Sequence, residues 1–219
     1  MNKLSTNTMP SARGILAQRP DLALIADWIK TDTKVLDLGC GDGLLLQYLQ
    51  TTKNVSGYGV EIDDCHIAPC LRNGINVIQG NLDQGLAEFD DNSFDYVVLS
   101  LTLQAMHNPA PLLDEMLRVG NAGIVTFPNF GHWRIRYSLG VHGILPVTPS
   151  LPHQWYNTPN IRLCTLGDFA ELCRQRNISV QQRQTMDHNH IDSVMTRLFP
   201  SLFGEIALYR FTRYISQSI

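Results

Sequence analysis

Three glycines and two carboxylates fall within seven residues, Asp37-Leu38-Gly39-Cys40-Gly41-Asp42-Gly43. Glycines at that density let a backbone approach a ligand with no Cβ in the way. The turn follows a short apolar run, Val35 to Leu38, and opens a segment of helical density carrying Leu44, Leu45, Leu46, Tyr48 and Leu49. Strand, glycine turn and helix in that order make a binding turn, because ligands of open α/β sheets sit at the carboxyl ends of the strands. Glu61 ends the next apolar run, 22 positions after Gly39. A carboxylate placed there accepts hydrogen bonds from the two ribose hydroxyls of a nucleoside. The glycine spacing is GxGxG and not the GxGxxG of dinucleotide sites, which disfavours an NAD-dependent oxidoreductase. Asp37 would repel a pyrophosphate and attract an ammonium or sulfonium group, so S-adenosylmethionine or S-adenosylhomocysteine fits these residues better than NAD.

Methyl transfer from a sulfonium is an in-line displacement with a good leaving group. Alignment then supplies most of the acceleration, and a general base is needed only for weak nucleophiles. Residues in the right region for such a role are His107, His132, Arg134, Tyr137, His153 and Tyr156, and none of them is assigned as catalytic. Arg134 and Arg136 could pair with a carboxylate substrate or an acidic partner surface, against the commoner reading as solvated cations. Trp133, Trp155 and Tyr156 are expected to pack their long loop onto the sheet. His188-Asn189-His190 reads as a polar loop, since no third ligand lies near it, and no metal site is expected.

The elements that must position these residues alternate regularly. Pro20 followed by Leu22, Ile25, Ala26 and Ile29 has the spacing of an amphipathic helix with proline in its first turn. After the glycine turn and its helix come a strand from Tyr58 to Glu61, a weaker helix ending near Asn73, and a third strand from Asn76 to Gln79. Pro69 is expected to make that weaker helix short or late-starting. Phe94 to Ser100 reads as a fully buried strand, Pro111 to Val119 as a helix and Ile124 to Phe127 as a fifth strand. Such alternation predicts a parallel sheet covered on both faces, wound with right-handed crossovers. Residues 128–163 then hold five prolines together with Trp133, Tyr137, Trp155 and Tyr156, a long connection expected to act as a lid insertion. Thr165 and Asp168 form a capping-box-like helix start, and Ile178 to Met186 and Ile206 to Tyr214 add two further strands. The expectation is a single α/β domain over residues 1–219, with residues 1–15 as a loose arm and a seven-stranded, mostly parallel Rossmann-like sheet.

With 44% hydrophobic and 17% charged residues, the composition is that of a packed globule and excludes disorder, collagen and coiled coil as the main architecture. A net charge of −3 with no run of like charges gives no sign of nucleic-acid binding. The longest apolar stretches fall far short of the roughly 20 residues of a membrane span. The first 19 residues lack the apolar core of a signal peptide. Five cysteines without a CxxC pair read as reduced thiols. A soluble, cytoplasmic protein is expected.

VLDLGCGDG (Val35 to Gly43), Glu61 and FDYVVLS (Phe94 to Ser100) resemble the ordered motifs of the class I S-adenosylmethionine-dependent methyltransferases. That resemblance implies that Ile62 accompanies Glu61 in the cofactor site, that Asn81 and Leu82 flank the adenine, and that Ser100 and Leu101 line the methionine end. A narrower resemblance lies in EMLRVG (Glu115 to Gly120), FPNFGHW (Phe127 to Trp133) and LPHQWYNTPNIRLCT (Leu151 to Thr165), which are similar to the methionine-biosynthesis protein MetW family. It extends from about Gly14 to Met186. Asn81, Leu101 and His153 stand where Asp, Gln and Tyr are more usual in it. The resemblance implies a cytoplasmic protein of methionine synthesis that acts with the homoserine O-acyltransferase as an accessory or regulatory partner. The alternative is a catalytically active methyltransferase on a small-molecule acceptor.

Overall fold

The computed structural model describes residues 16, 19–187 and 194–214. The expected arm and the His188 and His190 pair lie outside the described residues. The elements run α1 (Pro20–Trp28), β1 (Lys34–Leu38), α2 (Leu44–Lys53), β2 (Ser56–Glu61), α3 (Asp64–Arg72), β3 (Val77–Gln79) and β4 (Phe94–Ser100). After them come α4 (Pro109–Val119), β5 (Gly120–Pro128), α5 (Trp133–Tyr137), α6 (Leu166–Gln175), β6 (Ile178–Met186), α7 (Val194–Leu198), α8 (Pro200–Phe203) and β7 (Ile206–Arg213).

The seven strands form one sheet in the order β3-β2-β1-β4-β5-β7-β6. β1 to β5 are mutually parallel, and β7 runs antiparallel between β5 and β6. This is the seven-stranded, mostly parallel Rossmann-like sheet expected from the alternation of elements, and it agrees with the class I methyltransferase fold that the motif resemblance implies.

Strand periodicity divides the core in two. Leu36, Leu38, Val97 and Leu99 point into one layer with Leu113 and Met116 of α4 and Phe169 of α6. Val35, Val98 and Ile124 face the other, with Ile25 of α1 and Leu45, Leu46 and Leu49 of α2. Burial on both faces is why β1 and β4 read as nearly unbroken apolar runs. The exception is Asp37, which lies on the layer of Val35, one step from the end of β1.

Two local expectations change. The helix expected to be short or delayed has nine residues, so it is short, but it starts at Asp64 and holds Pro69 inside it. Asp63 caps that start by accepting from the Cys65 amide at 2.9 Å, and a proline removes only one intrahelical hydrogen bond from so short a helix. The aromatic residues of the 128–163 connection do not pack onto the sheet: Trp155 is 74% and Tyr156 70% exposed, and Trp133 is 41% exposed. Other groups hold the connection down. Ile135 and Leu151 are buried, and the buried Asn129 amide donates to the carbonyls of Ser201 and Gly204 at 3.1 and 2.7 Å. With those anchors the aromatic rings are not needed to order the chain.

Candidate functional site

β1 and β4 are neighbours in register, Leu38 beside Leu99, so the chain leaves both strands at one edge of the sheet. There the glycine turn, the exit of β4 and the start of α1 enclose a cleft of about 260 Å³. It is lined by Arg19, Leu22, Asp37, Gly39, Cys40, Gly41, Asp42, Leu44, Leu45, Ser100 and Leu101. Sites for small ligands start at roughly 300 Å³.

The turn needs glycine for two different reasons. Gly39 has φ +68°, and a Cβ there would stand 2.8 Å from Thr102 Oγ1. Gly41 has φ +56° with nothing within 4 Å of where its Cβ would be, so it opens onto free space. The Gly39 and Cys40 amides both donate to the Val60 carbonyl, at 2.8 and 3.1 Å. The Gly41 amide donates to Glu61 Oε2 at 2.8 Å, and the Gly41 carbonyl accepts from Cys70 Sγ at 3.0 Å. Asn73 Nδ2 donates to the Asp42 carbonyl at 3.1 Å. Burial pushes the Cys70 thiol up, which keeps the proton that this donation requires.

Glu61 is the clamp of the turn. Besides Gly41 it accepts from the Ile62 and Asp63 amides at 2.8 and 3.0 Å, both on Oε1. Three amide donors leave about one of its roughly four lone-pair positions for a ligand.

Asp37 is the reverse case. It is only 3% exposed, yet its carboxylate accepts no hydrogen bond from the described residues. Burial pushes it up to about 7, opposed by the positive charge of Arg19 and aided by the negative charge of Glu61. The Arg19 guanidinium is itself held by Asp21, Nε to Oδ1 at 3.0 Å and Nη2 to Oδ2 at 2.8 Å. A buried carboxylate without a donor, at the wall of a cleft, leaves a deficit that a cationic ligand group removes. The residues present therefore fit a nucleoside carrying an ammonium or sulfonium group.

The anticipated set divides by position. Asp37, Gly39, Cys40, Gly41, Ser100 and Leu101 line the cleft, and Glu61 reaches it through Gly41. Gly43 caps α2 from beneath, where a Cβ would stand 3.1 Å from Ile75 and 3.2 Å from Cys70 Sγ. Ile62, Asn81 and Leu82 follow β2 and β3 at the same sheet edge but do not line the cleft. The Ile62 side chain is exposed, the Asn81 side chain accepts from the Asp83 amide at 3.0 Å, and the Leu82 side chain belongs to the core.

Neither Arg19 and Leu22 nor the two supports Cys70 and Asn73 stood out in the sequence. The only signal for Arg19 is its place directly before the proline that opens α1. Leu101 adds a conformational signature, a non-glycine φ of +49° at the cleft wall. Its amide donates to the Thr126 carbonyl and hydroxyl at 3.1 and 2.9 Å, and its carbonyl accepts from Gln104 Nε2 at 2.6 Å.

None of His107, His132, Arg134, Tyr137, His153 and Tyr156 lines the cleft. His107 Nδ1 lies 2.8 Å from Asp83 Oδ2. The buried His132 and the half-exposed Arg134 approach Glu205 at 3.8 and 3.7 Å. Arg136 is exposed, as a solvated cation would be, and its Nε donates to the Gly131 carbonyl at 2.5 Å, which ties it to its own turn. No helix among the described residues is long and apolar enough to cross a membrane.

The family model of the methionine biosynthesis protein MetW matches residues 19–211. The chain is 34% identical over 217 residues to a bifunctional methionine biosynthesis protein MetXA/MetW of Rhodopirellula baltica, covering 95% of this chain and 35% of that one. It thus spans about a third of the length of that curated relative. Among solved structures it is similar to a SAM-dependent methyltransferase of Thermotoga maritima, with 16% identity, a TM-score of 0.60, and 88% and 87% of the two chains covered. The plantazolicin methyltransferase BamL, solved in complex with a desmethyl analogue and SAH, is 14% identical with a TM-score of 0.61, over 94% of this chain and 86% of that one. At such identities these two structures speak for the fold.

Proposed function

The chain belongs to the methionine biosynthesis protein MetW family, and on that premise we propose that it binds S-adenosylmethionine and serves the homoserine O-acyltransferase as an accessory or regulatory partner in the cytoplasm. One observation carries the partnership. The relative named MetXA/MetW joins a region like this chain to a further two-thirds of sequence outside the match, so two activities of one pathway are tethered in a single polypeptide. Tethering gives the two parts a high effective concentration without any new contact, the advantage that separate chains obtain by forming a complex.

Asp37 faces the positively charged end of the ligand, Glu61 offers its remaining acceptor position to a ribose hydroxyl, and the open backbone at Gly41 admits the nucleoside. Arg19, oriented by Asp21, provides a cation for the carboxylate of the methionine moiety. S-adenosylmethionine supplies, when bound, a methyl group on a sulfonium. Ligand feedback on the acyltransferase then requires different ligand affinities in the free and complexed states.

The test is the initial rate of the acyltransferase from the same cell, with and without this protein at matched concentration, paired with calorimetry against S-adenosylmethionine. A rise in rate together with measurable binding supports the reading. No change in rate and no complex removes the partnership, and absent binding removes the ligand. The complete binding turn favours a second reading, a methyltransferase acting on a small acceptor. Labelled methyl donor incubated with cell extract separates the two, because only a methyltransferase transfers label.

A further inference from the structure

Ten of the twenty large apolar side chains that are exposed among the described residues fall within residues 133–163. One stretch of 31 residues thus supplies half of the large apolar groups that the described residues leave open to a partner. Two of them, Trp155 and Tyr156, project as a pair with ring centroids 5.7 Å apart and edge to face. With exposures of 74% and 70% they are not packing anchors among the described residues.

The charge pattern narrows what covers them. Residues 116–167 contain no Asp or Glu, whereas the chain as a whole carries 20 acidic residues against 17 basic. Arg134, Arg136 and Arg162 lie inside that interval; Arg134 approaches the buried Glu205 at 3.7 Å, while Arg136 and Arg162 meet no carboxylate among the described residues and leave the stretch positive in a protein of net charge −3. Two of these cations are fixed by backbone carbonyls, Arg136 by Gly131 and Arg162 by His107 at 2.6 Å. They present charge at set places rather than on free arms. Exposed Trp and Tyr with Arg and without carboxylates is the composition of protein–protein contact centres.

A second copy of this chain is a poor match, since a two-fold contact would set this positive patch against itself. A lipid surface is poorer, because the segment has no Lys and its one α-helix is five residues long, too short for an amphipathic interfacial helix.

We propose that residues 133–163 form the docking surface for the partner acyltransferase, with Trp155 and Tyr156 inserting into an apolar pocket of the partner that is rimmed by carboxylates. This rests on the partnership proposed above and names the surface that serves it. The expected lid over an acceptor becomes a strap turned outward, toward a protein.

The experiment measures the dissociation constant of the full-length chain and the acyltransferase by calorimetry, for the wild type and for Trp155→Ala/Tyr156→Ala. Both side chains are exposed, so the variant is expected to melt at the wild-type temperature and to keep its S-adenosylmethionine affinity. The inference expects the complex to weaken by about 30-fold or more, the effect of losing a central anchor. It also expects the wild-type complex to weaken as salt is added. An unchanged dissociation constant overturns the docking surface and leaves the partnership standing. No complex with wild-type protein overturns both. Two further outcomes overturn the surface as a partner site: wild-type dimerisation in sedimentation that the variant loses, or wild-type binding to phosphatidylserine vesicles that the variant loses.

Discussion

The glycine-turn cleft and the 133–163 strap are built on opposite plans. Around the cleft the polar side chains other than Asp37 are held by partners in the chain, and backbone conformation does the positioning: Gly39, Gly41 and Leu101 all take positive φ, and Glu61 spends three of its acceptor positions on amides. The strap carries no regular element longer than five residues and hangs from a few anchors, Asn129, Ile135, Leu151 and a pair of amide bonds to Gln104, while its aromatic rings face solvent. A site for a small ligand must fix atoms before the ligand arrives. A surface for a protein needs only to keep its apolar area available, because the partner completes the packing.

Exchanging a glycine in each region breaks the comparison most sharply. Gly39→Val puts a branched side chain at φ +68° against Thr102, adding left-handed strain of about 1–2 kcal/mol to overpacking of about 1–3 kcal/mol. Ligand binding should fall at least 100-fold, with a clear drop in melting temperature. Gly143→Ala in the strap also sits at positive φ, +66°, but nothing lies within 4 Å of the new methyl. A loss of about 1 kcal/mol by denaturant titration, with ligand affinity intact, is the expected result. Equal effects of both changes on ligand affinity would mean that the strap is part of the cleft.

Asp37 gives the next largest effect and has a sign of its own. Its folded pKa, about 7, lies above the ordinary carboxylate value, so the folded protein holds this proton more tightly than the unfolded chain. Its burial is harmless below pH 4 and destabilises progressively as pH rises toward 7, by up to about 4 kcal/mol. Asp37→Asn should therefore stabilise the ligand-free protein at neutral pH while weakening S-adenosylmethionine roughly 10- to 100-fold. For the wild type, calorimetry across pH should show affinity rising up to about pH 7 and then levelling, since only ionised Asp37 attracts the sulfonium and ammonium charge. The variant should give a flat profile. A wild-type affinity that falls with pH would place the ligand's cationic end elsewhere.

The cleft was the more legible region because its signals are local. A glycine turn after an apolar strand and an acidic residue at the next strand end are consequences of backbone geometry over a few residues, and Gly39, Gly41, Asp37, Ser100 and Leu101 all stand at the cleft wall. Its supports were hidden, because Cys70 and Asn73 reach the turn from about 30 residues away through α3. Leu101 carries no mark of its positive φ, since leucine has no preference for that conformation. The strap misled for a different reason. Whether Trp155 is covered depends on what surrounds it in space, and aromatic content in a long connection suits inward packing and outward display equally well. Asn129, not an aromatic residue, ties the connection to the turn before β7.

Gln104 is where the two plans meet, and it gives the smallest and most informative effect. Its side chain is 5% exposed and donates to the Leu101 carbonyl at 2.6 Å, while its own carbonyl accepts from the Ile161 and Arg162 amides at 2.9 Å each. One residue thus holds the cleft wall with its side chain and the strap with its backbone. Gln104→Leu keeps the backbone acceptor and most of the volume, and removes only the clamp on Leu101. It also removes a buried Oε1 that has no partner among the described residues, so stability should change by less than about 1 kcal/mol. Leu101 would still be held by Thr126, but less tightly, and S-adenosylmethionine affinity should fall about three- to tenfold while acyltransferase affinity in the absence of ligand stays unchanged. In the wild type, ligand should alter acyltransferase affinity by the same factor as acyltransferase alters ligand affinity. In the variant both factors should shrink together. If they persist undiminished, the strap and the cleft communicate by a route that bypasses Gln104, and the shared residue is only a point of attachment.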